Sequence, residues 1–362
     1  MNVENNIIPF MKRCKRNCIV NIMKYNFLQW IDINKLDMKG LSTNEKSFHF
    51  FETHPDNIGY LSHRPEFIHI IEKNLDIIDW QSLSSNTNAI HILSQNIDKI
   101  NWWRLSFNTA AITIWEQNLD KVIWENITLL EDNDAVNFIS KYLHRLSKEA
   151  WRNLSSNPAA IEILKKNLDK IDINQFSLNP NAIEILDNDP EKICFCDLYS
   201  NQNPDAWKLF LKYPEYVYSY PWFFASSYHI LPLLFYYKEH DPILFDYLLD
   251  FELYENENPD SLELIEYHMK LKPELINWDE LSAKPFTVHI MEQHIDKINW
   301  IEFSKLPEAI HILEKHIDKI HWTSLSSNPA AIHILKENQD KIDWVEFSKN
   351  DGIYEEISII PL

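Results

Sequence analysis

The sequence predicts an all-α protein: an α-solenoid of stacked short helical hairpins with a 22-residue repeat. Three observations predict it. Tryptophans recur at a fixed interval, at Trp80, Trp102 and Trp124 and again at Trp278, Trp300, Trp322 and Trp344. Each opens a version of one phrase, W-x-x-L-S-x-N-P-x-A-I-x-I-L-x-x-N-x-D-K-I-D, and Trp151, Ile173 and Phe195 carry the spacing between the two runs. Only three glycines occur in 362 residues, too few for the tight turns of a barrel or sandwich.

With the tryptophan numbered 0, the longer helix begins at Asn in position 6, whose side-chain oxygen suits an N-cap. Proline follows at the first helical position, where its missing N–H costs nothing, as in Asn157-Pro158, Asn179-Pro180 and Asn328-Pro329. Ala331, Ile332, Ile334 and Leu335 then fall on one helical face. An asparagine at position 16 (Asn74, Asn96, Asn118, Asn167, Asn338) is expected to stop the helix in the left-handed conformation. Asp or Asn at position 21 (Asp79, Asn101, Asp172, Asn299, Asp343) is expected to cap a second helix that carries Trp and Leu on one side. Isoleucine at position 20 fills the gap between the two. A buried tryptophan here would make Trp300→Ala cost about 3–5 kcal/mol.

A hairpin this small cannot bury enough apolar surface to offset the entropy of ordering it, so hairpins must stack on neighbours. The competing prediction is a leucine-rich-repeat-like β-solenoid, whose period also spans 22 residues. That fold needs an L-x-L strand beside its asparagine, where this chain has proline and a helical pattern.

Five segments follow: an N-terminal capping segment (1–37), a regular array (38–197), divergent aromatic-rich units (198–277), a second regular array (278–350) and a C-terminal tail (351–362). Ile58 and Met38 take the tryptophan position upstream, and the jump from Trp124 to Trp151 implies a short insertion. Roughly 13 or 14 units at about 8–10 Å per layer would give a contour near 100–140 Å, an elongated platform.

Composition narrows the partners. With 34 basic against 54 acidic residues the formal charge is −20, which repels phosphate backbones, so nucleic acid is not an expected partner. Lys12, Arg13, Lys15 and Arg16 form a small basic exception. No window of about 18 apolar residues suggests a membrane span, and the first residues lack a signal-peptide pattern, so a reducing intracellular setting is expected. Cys14 and Cys18, and Cys194 and Cys196, lack histidines at finger-like spacing and read as buried or free thiols.

Histidine and glutamate recur at position 11 (His69, His91, Glu162, Glu184, His289, His311, His333), where a polar stripe on the exposed side of the longer helix is expected. Rungs about 9–10 Å apart cannot converge on one ion, so no metal is expected there. His294, His316 and His321 replace Asn or Asp at cap positions, and Lys at position 19 follows an acid, reading as solvated charge pairs. No phosphate-loop, nucleophile-elbow or zinc-protease motif occurs, so no catalytic residue and no cofactor are expected. The densest aromatic stretch, Tyr213, Tyr216, Tyr218, Tyr220, Trp222, Phe223 and Tyr228, is the candidate partner surface together with His289, His311 and His333. The alternative for those rings is filling a wider core where the array bends.

The phrases "LSSNPAAIHILKENQDKIDW", "LSSNTNAIHILSQNIDKINW" and "LSSNPAAIEILKKNLDKIDI" resemble the short tandem-repeat proteins of mimivirus-like giant DNA viruses, over roughly residues 58–196 and 278–350. The resemblance implies a viral protein made in the host cytoplasm or viral factory, with the virion as another location, and it carries over no catalytic residue. The expected function is a non-enzymatic protein–protein interaction scaffold for a host or viral protein. The alternatives are a structural virion or assembly component that associates with itself, and an adaptor recruiting host machinery such as a ubiquitin ligase.

Overall fold

The computed structural model describes residues 25–54, 59–219, 231–250 and 253–356. They are mostly helical, and the sheet among them is a single antiparallel pair of three-residue strands. The β-solenoid alternative therefore does not describe these residues. Among them, no helix is long and apolar enough to cross a membrane.

Residues 322–347 show how the phrase folds. Asn328 accepts the Ala330 N–H at 3.0 Å and starts a 3-10 turn, Pro329–Ala331, that runs into the α-helix Ile332–Glu337. Ala331, Ile334 and Leu335 are buried, while His333 points outward. The helix ends at Asn338, but with φ −130° and ψ 48° rather than in the left-handed region. The expected left-handed stop is thus corrected: the Asn338 amide donates to the Ile334 carbonyl at 2.9 Å and satisfies one helix-end acceptor with its side chain. Asn74, Asn96, Asn118 and Asn167 make the same bond four residues back. A second 3-10 turn, Gln339–Lys341, leads to buried Ile342, and Asp343 caps the helix Trp344–Phe347 through the Val345 and Glu346 N–H groups.

Trp124 and Trp151 are buried, but Trp80, Trp102, Trp278, Trp300, Trp322 and Trp344 are half-buried, so Trp300 sits outside the fully enclosed core and the cost expected for a buried ring is too high. Their outer faces carry lysine. Lys99, Lys121, Lys170, Lys319 and Lys341, read from the sequence as partners of the preceding acid, lie over the rings of Trp80, Trp102, Trp151, Trp300 and Trp322 at 4.3–5.6 Å. The ring face attracts the ammonium while the lysine stem covers apolar surface.

Two buried polar residues join one hairpin to the next. The Ser326 hydroxyl donates to the Trp322 carbonyl (2.8 Å) and accepts the Asp343 N–H seventeen residues on (3.0 Å). Asn350 donates to the carbonyls of Ser326 and Asn328, 24 and 22 residues back, at 2.9 and 3.0 Å. Asn86, Asn108, Asn179, Asn201 and Asn328 repeat this double bond. Asn157 makes it across 29 and 27 residues, so the longer helix Asn133–Lys141 is accommodated without losing the joint. At two positions where the asparagine is replaced, Arg64 reaches the Ser42 carbonyl at 2.9 Å and Lys284 the Glu255 carbonyl at 3.4 Å, while Leu306 has no donor to offer.

The chain also meets itself. β1 (Tyr25–Phe27) pairs antiparallel with β2 (Tyr354–Glu356), Tyr25 opposite Glu356. Beside the strands the Asp37 N–H donates to the Ser348 hydroxyl at 2.8 Å, Lys46 Nζ to the Asp351 carbonyl at 2.9 Å, and Trp30 packs on Phe347. The segment expected to cap one end is therefore bonded to the segment expected to be the tail of the other. Gly40 fits here because a Cβ would lie 3.1 Å from Ser348 Cβ and 3.3 Å from the Val345 carbonyl.

Residues 231–277 depart from the regular lengths. Helices Leu231–His240 and Leu262–Leu271 have ten residues each, and Pro242–Leu248 has seven.

Candidate functional site

Position 11 faces outward along one edge. His69, His91, His289, His311 and His333 are each about half exposed, and each imidazole reaches back to a glutamate of the preceding hairpin. The Nε2 to carboxylate distances are 2.7 Å for His91–Glu72 and His333–Glu314, 3.3 Å for His289–Glu266, 3.9 Å for His311–Glu292 and 4.0 Å for His69–Glu52. At the same position Glu162 instead binds Lys165 at 2.8 Å, and that bond with its charge holds the Glu162 carboxyl below its usual range. The stripe is thus a row of separate pairs, and each of the His–Glu pairs links two hairpins at their outer surface.

At its divergent end the row borders a groove of about 630 Å³ between the helix Leu262–Leu271 and the helix Val288–Gln293. Met269, Ile276, Trp278 and Ile290 give it an apolar floor, and Glu266 with His289 stands on its rim. His294, read as a cap substitution, has the same backbone shape as the asparagines it replaces (φ −132°, ψ 52°) and packs on Trp278. His321 caps the next helix, accepting the Ser324 N–H at Nδ1.

Tyr213 and Tyr216, from the aromatic stretch, pack on Phe195. The Tyr216 ring stacks at 3.8 Å and the Tyr213 ring meets its edge at 5.7 Å. Both rings therefore have core partners. The backbone of Tyr218 lies in the helix Glu215–Ser219, while its side chain, and Tyr220, Trp222, Phe223 and Tyr228 entirely, lie outside the described residues. So do Cys14, Cys18 and Ile58.

Two clusters go beyond the sequence reading, which singles out only the Cys194 and Cys196 pair among their residues. Buried His268 meets the Tyr254 hydroxyl at 3.2 Å through Nδ1 and Asp250 at 3.3 Å through Nε2, and Lys272 also binds Asp250. Burial pushes the Tyr254 hydroxyl up to about 12, so it stays protonated, and a cavity of about 210 Å³ lies alongside. Both imidazole nitrogens are engaged, which ties the helix Leu262–Leu271 to the turn Leu253–Glu255. The second cluster is Cys194, Cys196 and Asp197, whose sulfur and carboxylate atoms all lie within 4.8 Å of one another.

No family model matches the chain, and no curated protein or solved structure matches it significantly.

Proposed function

We propose that the protein is a non-enzymatic interaction scaffold, an α-solenoid of 22-residue hairpins closed on itself, that presents its position-11 edge to a protein partner with a basic surface. The observation that carries this reading is the row of exposed His–Glu pairs, set in register by buried joints that recur every 22 residues. Its interior polar groups hold hairpins together, and the edge side chains are free to differ from unit to unit. A net charge of −20 favours a cationic partner, since complementary charge speeds encounter and rejects like-charged competitors. The groove between Met269 and Ile290 offers apolar surface beside a charged rim carrying Glu266, Lys270 and Lys297, the combination that anchors a protein segment. The resemblance to giant-virus repeat proteins, if it marks descent, puts that partner in an infected cell.

The test is affinity capture with the intact chain and with a Glu266→Gln/Glu292→Gln/Glu314→Gln variant, at two salt concentrations. The reading expects a captured protein whose binding weakens with salt and is lost in the variant. Equal capture by both chains at both salts would overturn it.

A further inference from the structure

We propose that Cys194, Cys196 and Asp197 form a binding site for a thiophilic divalent cation of the zinc class, at the boundary between the regular and divergent hairpins. The internal repeat supplies the comparison. Position 21 holds a cap in most other hairpins: Asp79, Asn101, Asp172, Asn299 and Asp343 each accept a helix N–H, while Ile123 makes no such bond. Cys194 occupies that position and makes no side-chain cap bond, although its N–H still donates to the Ser177 hydroxyl at 2.7 Å as the joint requires. Two positions on, the second thiol appears. One hairpin therefore gives up its cap and gains a pair of sulfurs.

The backbone brings them together. Cys194 is extended (φ −93°, ψ 100°), and the helix Phe195–Leu198 begins at the next residue, so the two side chains converge with Sγ–Sγ at 2.9 Å. Phe195, between them, is buried and clamped by Tyr216, Tyr213 and Phe210. The ligand-bearing turn is thus held by core packing, the support a metal site needs. A third observation points to a ligand: Asp197 Oδ2 is shielded from solvent and has no hydrogen-bond partner.

Two sulfurs and one oxygen suit zinc, with Cys196 on the exposed side leaving a fourth position for water or a partner's side chain. Tetrahedral zinc with Zn–S of ~2.3 Å wants its sulfurs ~3.8 Å apart, so the thiols must separate by ~0.9 Å, a side-chain rotation. Forming the Cys194 S–Zn bond breaks its S–H bond and releases that proton to solvent, and affinity should rise with pH.

Cobalt(II) is the probe, because its thiolate charge-transfer band reports sulfur ligation and ignores the His–Glu edge. Cys14 and Cys18 are first replaced by serine. In that background one equivalent of cobalt should raise the band and zinc should displace it, with at least one proton released per zinc. Cys194→Ser and Cys196→Ser should each abolish the band, and Asp197→Asn should weaken binding. Cys196 is exposed, so its serine variant should melt as the parent does and separates ligand loss from unfolding. No band, a band that survives Cys196→Ser, or a thiol count showing that the pair is already a disulfide in the protein as purified would overturn the assignment.

Discussion

The joint that Ser326 makes inside the chain and the joint that Ser348 makes between its two ends are built alike. Ser326 accepts the Asp343 N–H at 3.0 Å, and Ser348 accepts the Asp37 N–H at 2.8 Å. Lys341 lies over Trp322 at 4.3 Å, and Lys35 over Trp344 at 5.0 Å. The 3-10 turn Gln339–Lys341 has its counterpart in Ile33–Lys35, and buried Ile342 in buried Leu36. The last hairpin is therefore split: its first part comes from residues 344–353, its second from residues 31–37. Where the longer helix should stand, β1 and β2 pair instead, with Phe27 stacked on Tyr354. The difference lies in the asparagine, since Asn44 makes one long bond to the Lys349 carbonyl (3.5 Å) where Asn350 makes two short ones.

The contacts of a joint thus do not depend on chain continuity. Closing a flexible loop of this length would cost about 5 kcal/mol in entropy. The strand pair, the Asp37–Ser348 bond and the packing of Trp30 and Phe27 work against that cost.

The sharpest way to break the equivalence is at position 3. Phe303 and Phe347 are both fully buried, and Phe303→Ala should cost about 3–5 kcal/mol in urea unfolding. Phe347→Ala should cost as much if the ends are joined, because Trp30 covers it, and far less if they are apart. Next comes position 6. Asn328→Ala removes a cap and leaves two buried carbonyls without their donor, an expected loss of about 2–3 kcal/mol, against about 1 kcal/mol for Asn44→Ala. At position 4 Ser326→Ala and Ser348→Ala should each cost about 1 kcal/mol, and equal melting shifts are the expected outcome.

Acid gives the smallest effect. His63, in a groove lined by Lys39, Ser42 and Asp79, has its pKa lowered from 6.5, first by partial burial and then by the charge of Arg64. The folded state then binds its proton less readily than the unfolded chain does. Stability is intact above 6.5 and falls as pH drops through 6.5 towards the folded value. His63→Gln should flatten that acid limb in a pH series of melting curves.

Capping was legible in the sequence because it is local: Asn328 meets an N–H two residues away, and Pro329 marks the helix start. The amide ends of the same asparagines were not, since their partners lie 22 and 24 residues back and only the packed hairpins bring them close. The position-11 edge followed from periodicity, but its glutamates did not. Their signal was present as a glutamate 19 residues before His91, His311 and His333. The closing joint left a trace too, since "NKLDM" at residues 34–38 is a worn copy of "DKIDW". Its partner segment lies more than 300 residues away, so neither pattern nor propensity could pair the two. Of the aromatic stretch, Tyr213 and Tyr216 pack on Phe195, contacts across 18 and 21 positions that composition alone does not pair.

Spin labels at Asn26 and Glu355, exposed neighbours across the strand pair, measure the closure directly once the four native cysteines are serine. A closed chain predicts one short, narrow distance, set by strands about 5 Å apart plus the label arms. A broad distribution centred near the ~100 Å of an open stack would contradict it.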